Sequence, residues 1–226
     1  MHVTIASFNI EKNGQSSDPS KQTKVSDFID LCCNRRADII FLCEVHKARI
    51  EDYVAFLREV YLDYSCDFLD GGYSNAYVVL CRKSAGFTLS FDGLKGLNRN
   101  FLLCHIENKV AIGFAHFKSG QTNLTKDQIE AGADFMNGFT NNTGRWAIVG
   151  DMNWDMHRFN ELKLPANSRA ATCWSDMTQK SGGILDWCLA GWGVALAPAD
   201  GVKDFNPAFQ VMDGPDHRPV VFRLEL

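Results

Sequence analysis

The 226-residue chain is 46% hydrophobic, 22% charged and 12% aromatic, a composition that is typical of a folded globular domain and excludes collagenous, solenoid and low-complexity proteins. A chain of this length buries roughly 70% of its extended-state surface, so it needs no disulfide or metal scaffold in order to fold. Its 23 Lys and Arg against 27 Asp and Glu give a net charge of -4, which argues against a protein that binds nucleic acid by electrostatics alone. An enzyme with a locally basic groove is still compatible with this balance.

The sequence predicts neither a membrane-spanning segment nor a secretory signal. No run of 18 apolar residues occurs, and the amino terminus MHVTIASFNI lacks the basic and apolar regions of a secretory signal. Eight cysteines are present without a C-x-x-C pair, and Cys43, Cys81, Cys104 and Cys188 lie in apolar, strand-like runs. We therefore expect buried free thiols in a cytoplasmic protein, or a protein exported by a route that the sequence does not reveal.

Hydrophobic periodicity predicts a mixture of strands and helices along the chain. The predicted strands are 3–8, 37–45, 76–81, 87–91, 101–106, 110–116, 146–149, 184–190, 194–197, 209–212 and 219–224. Helical spacing is found at 25–32, 50–61 and 124–139. No linker, composition shift or repeat divides the sequence, so we expect one α/β or α+β domain over residues 1–226 with strands for at least two sheets.

Polar side chains follow several of the predicted strands: Asn9, Glu44, His116, Asp151 with Asn153, Asp186, and Asp216 with His217. Each has an ordinary structural explanation when it is taken alone. Glu44 can mark the emergence of a buried strand into solvent, Asp151 and Asn153 favour turns, and His116 fits a partly buried histidine. The ordered set favours function, because strand ends hold side chains rigidly and leave them accessible.

Six stretches of this set resemble the endonuclease/exonuclease/phosphatase superfamily over almost the whole chain. They are Ser7-Phe8-Asn9, Phe41-Leu42-Cys43-Glu44, Ala115-His116, Gly150-Asp151-Met152-Asn153, Leu185-Asp186 and Asp216-His217-Arg218-Pro219-Val220. The combination of Gly-Asp-x-Asn with a late Asp-His-x-Pro-Val is more specific than any single stretch. The resemblance implies a four-layer αββα sandwich of two mixed β-sheets flanked by helices.

Within the superfamily, the chain is most similar to the catalytic subunit of cytolethal distending toxin and to pancreatic-type deoxyribonuclease. The toxin branch usually has a basic residue at the position of Tyr73, whereas Arg99 keeps a second basic position. The deoxyribonuclease branch orients the histidine that matches His116 with a carboxylate, and Asn75 stands near that position here. The resemblance thus implies Asn75 and Arg99 as substrate-binding residues.

The resemblance also implies a role for each polar residue. Glu44, with Asn9 and Asp216, would hold one hard divalent ion, most plausibly Mg²⁺, with Mn²⁺ or Ca²⁺ as alternatives. His217 would act as general base or phosphate stabiliser, and Asp186 would fix its tautomer. The remaining roles concern the substrate phosphate: Asp151 would align or deprotonate the attacking water, Asn153 would donate to a phosphate oxygen, and His116 would donate to another or protonate the leaving group.

Three functions compete at this point. The first is a Mg²⁺-dependent endonuclease that hydrolyses DNA phosphodiester bonds, and the second is a phosphatase acting on phosphoinositides or other small phosphate esters. The third is a non-catalytic relative that serves as a binding or toxin subunit, with delivery partners that the sequence does not identify. It is the weakest, because every principal position carries a chemically competent side chain.

Overall fold

The computed structural model describes residues 1–12, 19–71, 75–93, 100–107, 109–198, 209, 211–212 and 214–226. Its α-helices are α1 (Pro19–Asn34), α2 (Ile50–Val60) and α3 (Thr122–Phe139), and short 3₁₀ helices occupy Lys83–Ala85 and Met156–Glu161. The strands are β1 (His2–Asn9), β2 (Ile39–His46), β3 (Tyr64–Asp70), β4 (Asn75–Arg82), β5 (Thr88–Gly93), β6 (Asn100–Ile106), β7 (Val110–His116), β8 (Trp146–Asp151), β9 (Arg169–Ala171), β10 (Asp186–Ala190), β11 (Ala195–Pro198) and β12 (Val220–Glu225).

The strands form two mixed sheets of the same design. The first sheet has the order β11-β12-β1-β2-β4-β3, and the second has the order β5-β6-β7-β8-β10-β9. Each sheet contains one parallel pair, β1 with β2 and β7 with β8, and its other pairs are antiparallel. Because parallel neighbours need a crossover, α1 connects the first pair and α3 connects the second. Strands of both parallel pairs end in polar residues, Asn9 in the first pair and His116 and Asp151 in the second.

Side-chain alternation in the second sheet builds two separate apolar layers. Leu102, Ile112, Phe114 and Val149 belong to the core that includes the first sheet, and the Phe114 ring stacks on Phe41 with centroids 4.9 Å apart. The alternate residues pack against α3 through Ile129, Ala133 and Met136. On the other side, α1 and α2 bury Val25, Phe28, Val54 and Leu57 against the first sheet. The layers are helix, sheet, sheet and helix, as predicted.

One predicted strand, 209–212, is wrong. Of this stretch the structure describes Phe209, Val211 and Met212, and none of them lies in a strand. Phe209 instead packs edge-on against Phe8 and Phe28, with ring centroids 6.5 and 6.0 Å away. Phe209 is therefore a single anchor in the core beside Phe28 of α1, whereas Val211 is exposed, and alternation alone does not distinguish this arrangement from a strand.

Two strands, β3 and β9, are missing from the sequence prediction. β3 lies at the edge of the first sheet, where Asp67 and Asp70 interrupt its apolar pattern, and β9 is three residues long. Edge strands need only one partially buried face, so their hydrophobic signal is weak. The predicted strand 184–190 begins two residues later, at Asp186.

All eight cysteines are free thiols, and six of them are buried. Burial raises the pKa of the Cys43 and Cys104 thiols well above the ordinary value. In the part of the chain that the structure describes, no helix combines the length and apolar character needed to cross a bilayer.

Candidate active site

Three strands of the second sheet place one polar residue each in a single row. His116 at the end of β7 is paired with Asp151 at the end of β8, and Asp151 is paired with Asp186 at the start of β10. All three side chains are buried, with exposures of 4%, 1% and 1%. Burial of ionisable groups at neighbouring positions requires that they interact with one another, because an isolated buried charge is costly.

Gly150 gives this row its close spacing. Its φ is 146°, and a Cβ at this position would lie 2.0 Å from the carbonyl oxygen of Ala115 on the neighbouring strand. A residue larger than glycine is therefore excluded at position 150, the first position of the Gly-Asp-x-Asn stretch. Asn153 completes the turn with φ 47°, donating its backbone N–H to Asp151 Oδ1 at 2.9 Å and its side-chain Nδ2 to the carbonyl of Phe117 at 3.0 Å.

His217 and Asp186 form a buried hydrogen-bonded pair. Asp186 Oδ2 lies 2.7 Å from His217 Nδ1, which places the other ring nitrogen, Nε2, 3.8 Å from Asp151 Oδ2. Burial lowers the pKa of His217, but the negative charges of Asp186 and Asp151 and the hydrogen bond to Asp186 outweigh it and raise this pKa to about 10. Asp186 therefore contacts the ring through Nδ1, and its negative charge favours the protonated imidazole.

Asp151 is the centre of the cluster. Its Oδ2 accepts a hydrogen bond from Asn9 Nδ2 at 2.9 Å and lies 3.6 Å from His116 Nε2 as well as 3.8 Å from His217 Nε2. Burial raises the pKa of Asp151, the negative charge of Asp186 raises it further, and the two histidines oppose this shift. Both imidazoles thus approach the same carboxylate oxygen atom.

The first sheet contributes Asn9 and Glu44. Glu44 interrupts β2 at a bulge between Leu42 and Val45, where its φ of 55° turns the side chain out of the regular pleat. Its Oε1 lies 3.3 Å from His116 Nε2, and its side chain keeps 24% exposure. Glu44 is therefore the most solvent-accessible carboxylate in direct contact with the buried row.

Asp216 lies at the rim of the cluster. Its Oδ1 is 3.9 Å from His217 Nε2, its Oδ2 accepts from Gln179 Nε2 at 3.3 Å, and its backbone N–H donates to Glu11 Oε2 at 3.0 Å. The predicted residues Asn9, Glu44, His116, Asp151, Asn153, Asp186, Asp216 and His217 are all joined by these contacts.

Of the two predicted substrate-binding residues, Asn75 and Arg99, the structure describes Asn75. Asn75 is paired with His46 between β4 and β2, and its buried Oδ1 has no hydrogen-bond partner among the described residues. The Glu44 carboxylate lies beside His116, with Oε1 3.3 Å from Nε2. Arg99 and Tyr73 lie outside the described residues.

The sequence interpretation missed two residues that hold the site in place. Glu11 Oε2 bridges the backbone N–H of Asp216 and the ammonium group of Lys21, at 3.0 and 2.7 Å. Thr178 is fully buried and accepts the backbone N–H of Asp186. Glu11 follows the first polar strand end by two residues and could have been noticed for that reason, whereas Thr178 lies in a polar loop without a distinguishing pattern.

The donor set fits a hard divalent cation. Three carboxylates, from Glu44, Asp151 and Asp186, surround two imidazoles, so the cluster carries surplus negative charge. Asp151, Asp186 and His217 place ligand-type atoms within 4.8 Å of one another, but Asp186 and His217 are already hydrogen-bonded to each other. The partly exposed carboxylate of Glu44 and the side-chain oxygens of Asn9 and Asp216 are oxygen donors, the type of ligand that Mg²⁺ prefers.

No protein-family model and no curated protein sequence matches the chain. Solved structures are similar over its full length. Truncated Caenorhabditis elegans TDP2 has a TM-score of 0.69 at 18% identity, covering 100% of this chain and 98% of that one. D. rerio TDP2, complexed with single strand DNA product, has a TM-score of 0.65 at 15% identity, with 100% and 99% covered.

A third similar structure is ANGEL2, a 2',3'-cyclic phosphatase, in complex with adenosine-2',3'-vanadate. Its TM-score is 0.67 at 13% identity, covering 100% of this chain and 96% of that one. TDP2 and ANGEL2 are members of the superfamily that the sequence stretches resemble. The chain therefore has the endonuclease/exonuclease/phosphatase fold.

Proposed function

We propose that this chain is a divalent-metal-dependent phosphodiesterase and that it cleaves DNA endonucleolytically. The observation that carries the proposal is the approach of two imidazoles, His116 and His217, to the same oxygen of Asp151 at 3.6 and 3.8 Å. Phosphodiester hydrolysis needs an oriented nucleophile, stabilisation of the charge that develops on phosphorus, and a protonated leaving group. Groups for all three tasks are present in this cluster.

The pKa directions separate the roles of the two central residues. A pKa of about 10 keeps His217 protonated at neutral pH, so it suits stabilisation of a phosphate oxygen. Asp151 is held by Asn9 and by the backbone N–H of Asn153, and is the group that would align and deprotonate the attacking water. Its burial makes it a stronger base than an exposed carboxylate.

The other residues complete the proposed site. His116 would donate to a phosphate oxygen or to the leaving oxygen, and Asn153 retains a second amide hydrogen for the phosphate. Glu44 would hold Mg²⁺ together with Asn9 and Asp216, and the ion would supply positive charge against the phosphate when bound. The partial exposure of Glu44 provides the access that such an ion needs.

Two observations bear on the substrate. A TDP2 of the same fold was solved with a single strand DNA product, which favours DNA. ANGEL2 is described as a 2',3'-cyclic phosphatase, which keeps a phosphatase acting on small phosphate esters as the second candidate. A non-catalytic role is disfavoured because the predicted catalytic side chains lie in mutual contact.

The test uses supercoiled plasmid DNA, a phosphoinositide panel and a 2',3'-cyclic nucleotide, each with Mg²⁺ and with chelator. We expect nicked and linear plasmid in Mg²⁺, none with chelator, and a loss of about a hundredfold or more for His217→Ala. The matched control is His2→Ala, since His2 is exposed and lies at the opposite end of β1 from Asn9. Intact plasmid together with phosphate release from a small ester would replace the nuclease by the phosphatase.

A further inference from the structure

Thr178 occupies an unusual position between the two residues of the His217–Asp186 pair. It lies in the loop that joins β9 to β10, outside any regular element, and its residue exposure is 0%. Fully buried polar side chains in loops need hydrogen-bond partners, and the identity of those partners indicates what the residue holds in place.

The side chain of Thr178 fixes the start of β10. Its Oγ1 accepts two backbone N–H groups, from Leu185 at 2.8 Å and from Asp186 at 2.9 Å. The carbonyl of Leu185 in turn accepts the N–H of Met152, directly after Asp151. The backbone of Asp186 is therefore fixed by the hydrogen bond that its N–H donates to Thr178 Oγ1.

The backbone of Thr178 fixes the segment that carries His217. Its carbonyl accepts the N–H of Arg218 at 2.7 Å, and the next residue, Gln179, forms an isolated β-bridge with His217. Its own N–H donates to Gly183 at 2.9 Å, which closes the loop onto itself. One residue thus connects to both polypeptide segments whose side chains meet at 2.7 Å.

We propose that Thr178 is a positioning residue that sets the distance between His217 Nδ1 and Asp186 Oδ2 and so the aim of His217 Nε2 at the substrate. This inference rests on the proposed phosphodiesterase function for its kinetic consequence, but its structural consequence is independent of any activity. Loss of the hydroxyl leaves two buried N–H groups, those of Leu185 and Asp186, without their acceptor. We expect the start of β10 to shift as these groups form hydrogen bonds with other acceptors.

The experiment compares Thr178→Val, which keeps the shape and removes the acceptor, with Thr178→Ser, which restores it. Thr140→Val is the matched control, because Thr140 is equally buried, donates to the carbonyl of Met136 at 3.1 Å, and precedes β8 at the opposite end from Asp151. Thr178→Ala is the second hydroxyl-free variant, for use should the valine variant not fold.

We expect Thr178→Val to lower kcat by about 10- to 100-fold with little change in KM, since a misplaced catalytic group affects the reaction more than binding. Thr178→Ser is expected to recover most of kcat. Thr140→Val is expected to keep the kcat of the unchanged protein even where it lowers Tm as much as Thr178→Val does. A kcat that falls equally in Thr178→Val and Thr140→Val, or that Thr178→Ser does not restore, overturns the positioning role.

Proton NMR provides the readout that needs no activity. The His217 Nδ1–H, bonded to a carboxylate at 2.7 Å, is expected to give a downfield resonance that is lost in His217→Gln. Thr178→Val is expected to shift or broaden this resonance, while Thr140→Val leaves it in place. An unchanged resonance in Thr178→Val refutes the inference even in an active enzyme, and a changed resonance supports it even where no substrate is cleaved.

Discussion

The two sheets contribute to the site in different ways. The second sheet supplies His116, Asp151 and Asp186 in one register, all buried, and fixed by ladder pairing. The first sheet supplies Glu44 from a bulge with φ 55°, partly open to solvent. The difference matches the demands of the proposed chemistry, because groups that move protons must be held rigidly and a group that binds an ion from solvent must be accessible.

The largest effect is expected at the centre of the buried row. Asp151→Ala removes the oxygen that contacts Asn9 and both imidazoles, and we expect phosphodiesterase activity to fall by about a hundredfold or more. Plasmid nicking rates measure this loss, with circular dichroism as the check that the fold persists. Near-normal nicking by a folded Asp151→Ala protein would show that the row does not perform the chemistry.

Gly150 tests the rigidity of the second sheet. Gly150→Ala places a Cβ 2.0 Å from the Ala115 carbonyl at φ 146°, so we expect a loss of about 3 kcal/mol in the free energy of unfolding. Gly86→Ala is the matched control, since it has φ 74° but no atom within 4 Å of the added Cβ, and about 1 kcal/mol is expected. Equal losses in urea denaturation would mean that the close strand approach does not constrain the site.

Glu44 tests the solvent-accessible part of the site, which the first sheet contributes. Glu44→Gln keeps the size of the side chain and removes its charge, so we expect the Mg²⁺ concentration for half-maximal activity to rise by about tenfold or more, with partial recovery at high Mg²⁺. The exposed residue Glu59 on α2 provides the control substitution Glu59→Gln. A lower rate with unchanged Mg²⁺ dependence would contradict the assignment of Glu44 to the ion.

The pH dependence of stability without metal tests the contact between Asp186 and His217. Folding raises the pKa of His217 from 6.5 to about 10, so its stabilising contribution is complete below pH 6.5 and is lost as the pH rises towards 10. In chelator, we therefore expect Tm to fall over this range, and His217→Gln to show a flatter profile. His2→Gln serves as the control, and an identical slope in His217→Gln would show that the Asp186 contact does not stabilise the protonated ring.

The fold was largely predictable because most strands are continuous apolar runs and the helices have clear amphipathic spacing. β2, β4, β7 and β8 are buried on both faces, so their runs end where the chain becomes polar. β3 and β9 were missed because edge strands carry little of this signal. The 209–212 stretch was misinterpreted because Phe209 is buried as a single anchor in the core, whereas Val211 is exposed, and an apolar residue type alone does not distinguish these cases from a strand.

The residues of the polar cluster were predictable, but the residues that contact them from neighbouring loops were not. Strand ends and the superfamily resemblance identified the polar cluster, since both depend on local sequence. Glu11 accepts the backbone N–H of Asp216, which is 205 residues away, and Thr178 accepts the backbone N–H of Asp186 from a polar loop that has no distinguishing pattern. The placement of Glu44 beside His116 likewise depends on the packing of one sheet on the other, since Glu44 lies in the first sheet and His116 in the second.

The hydrogen bond between Asn9 and Asp151 has a consequence for the order of folding. It joins the two sheets across 142 residues of sequence, whereas α1 with its strands and α3 with its strands form through much shorter loops. Because closure of long loops is slow, we expect the units β1-α1-β2 and β7-α3-β8 to form before the two sheets dock. In a refolding experiment, catalytic activity would return later than helical circular dichroism, and the lag would measure the docking of the sheets.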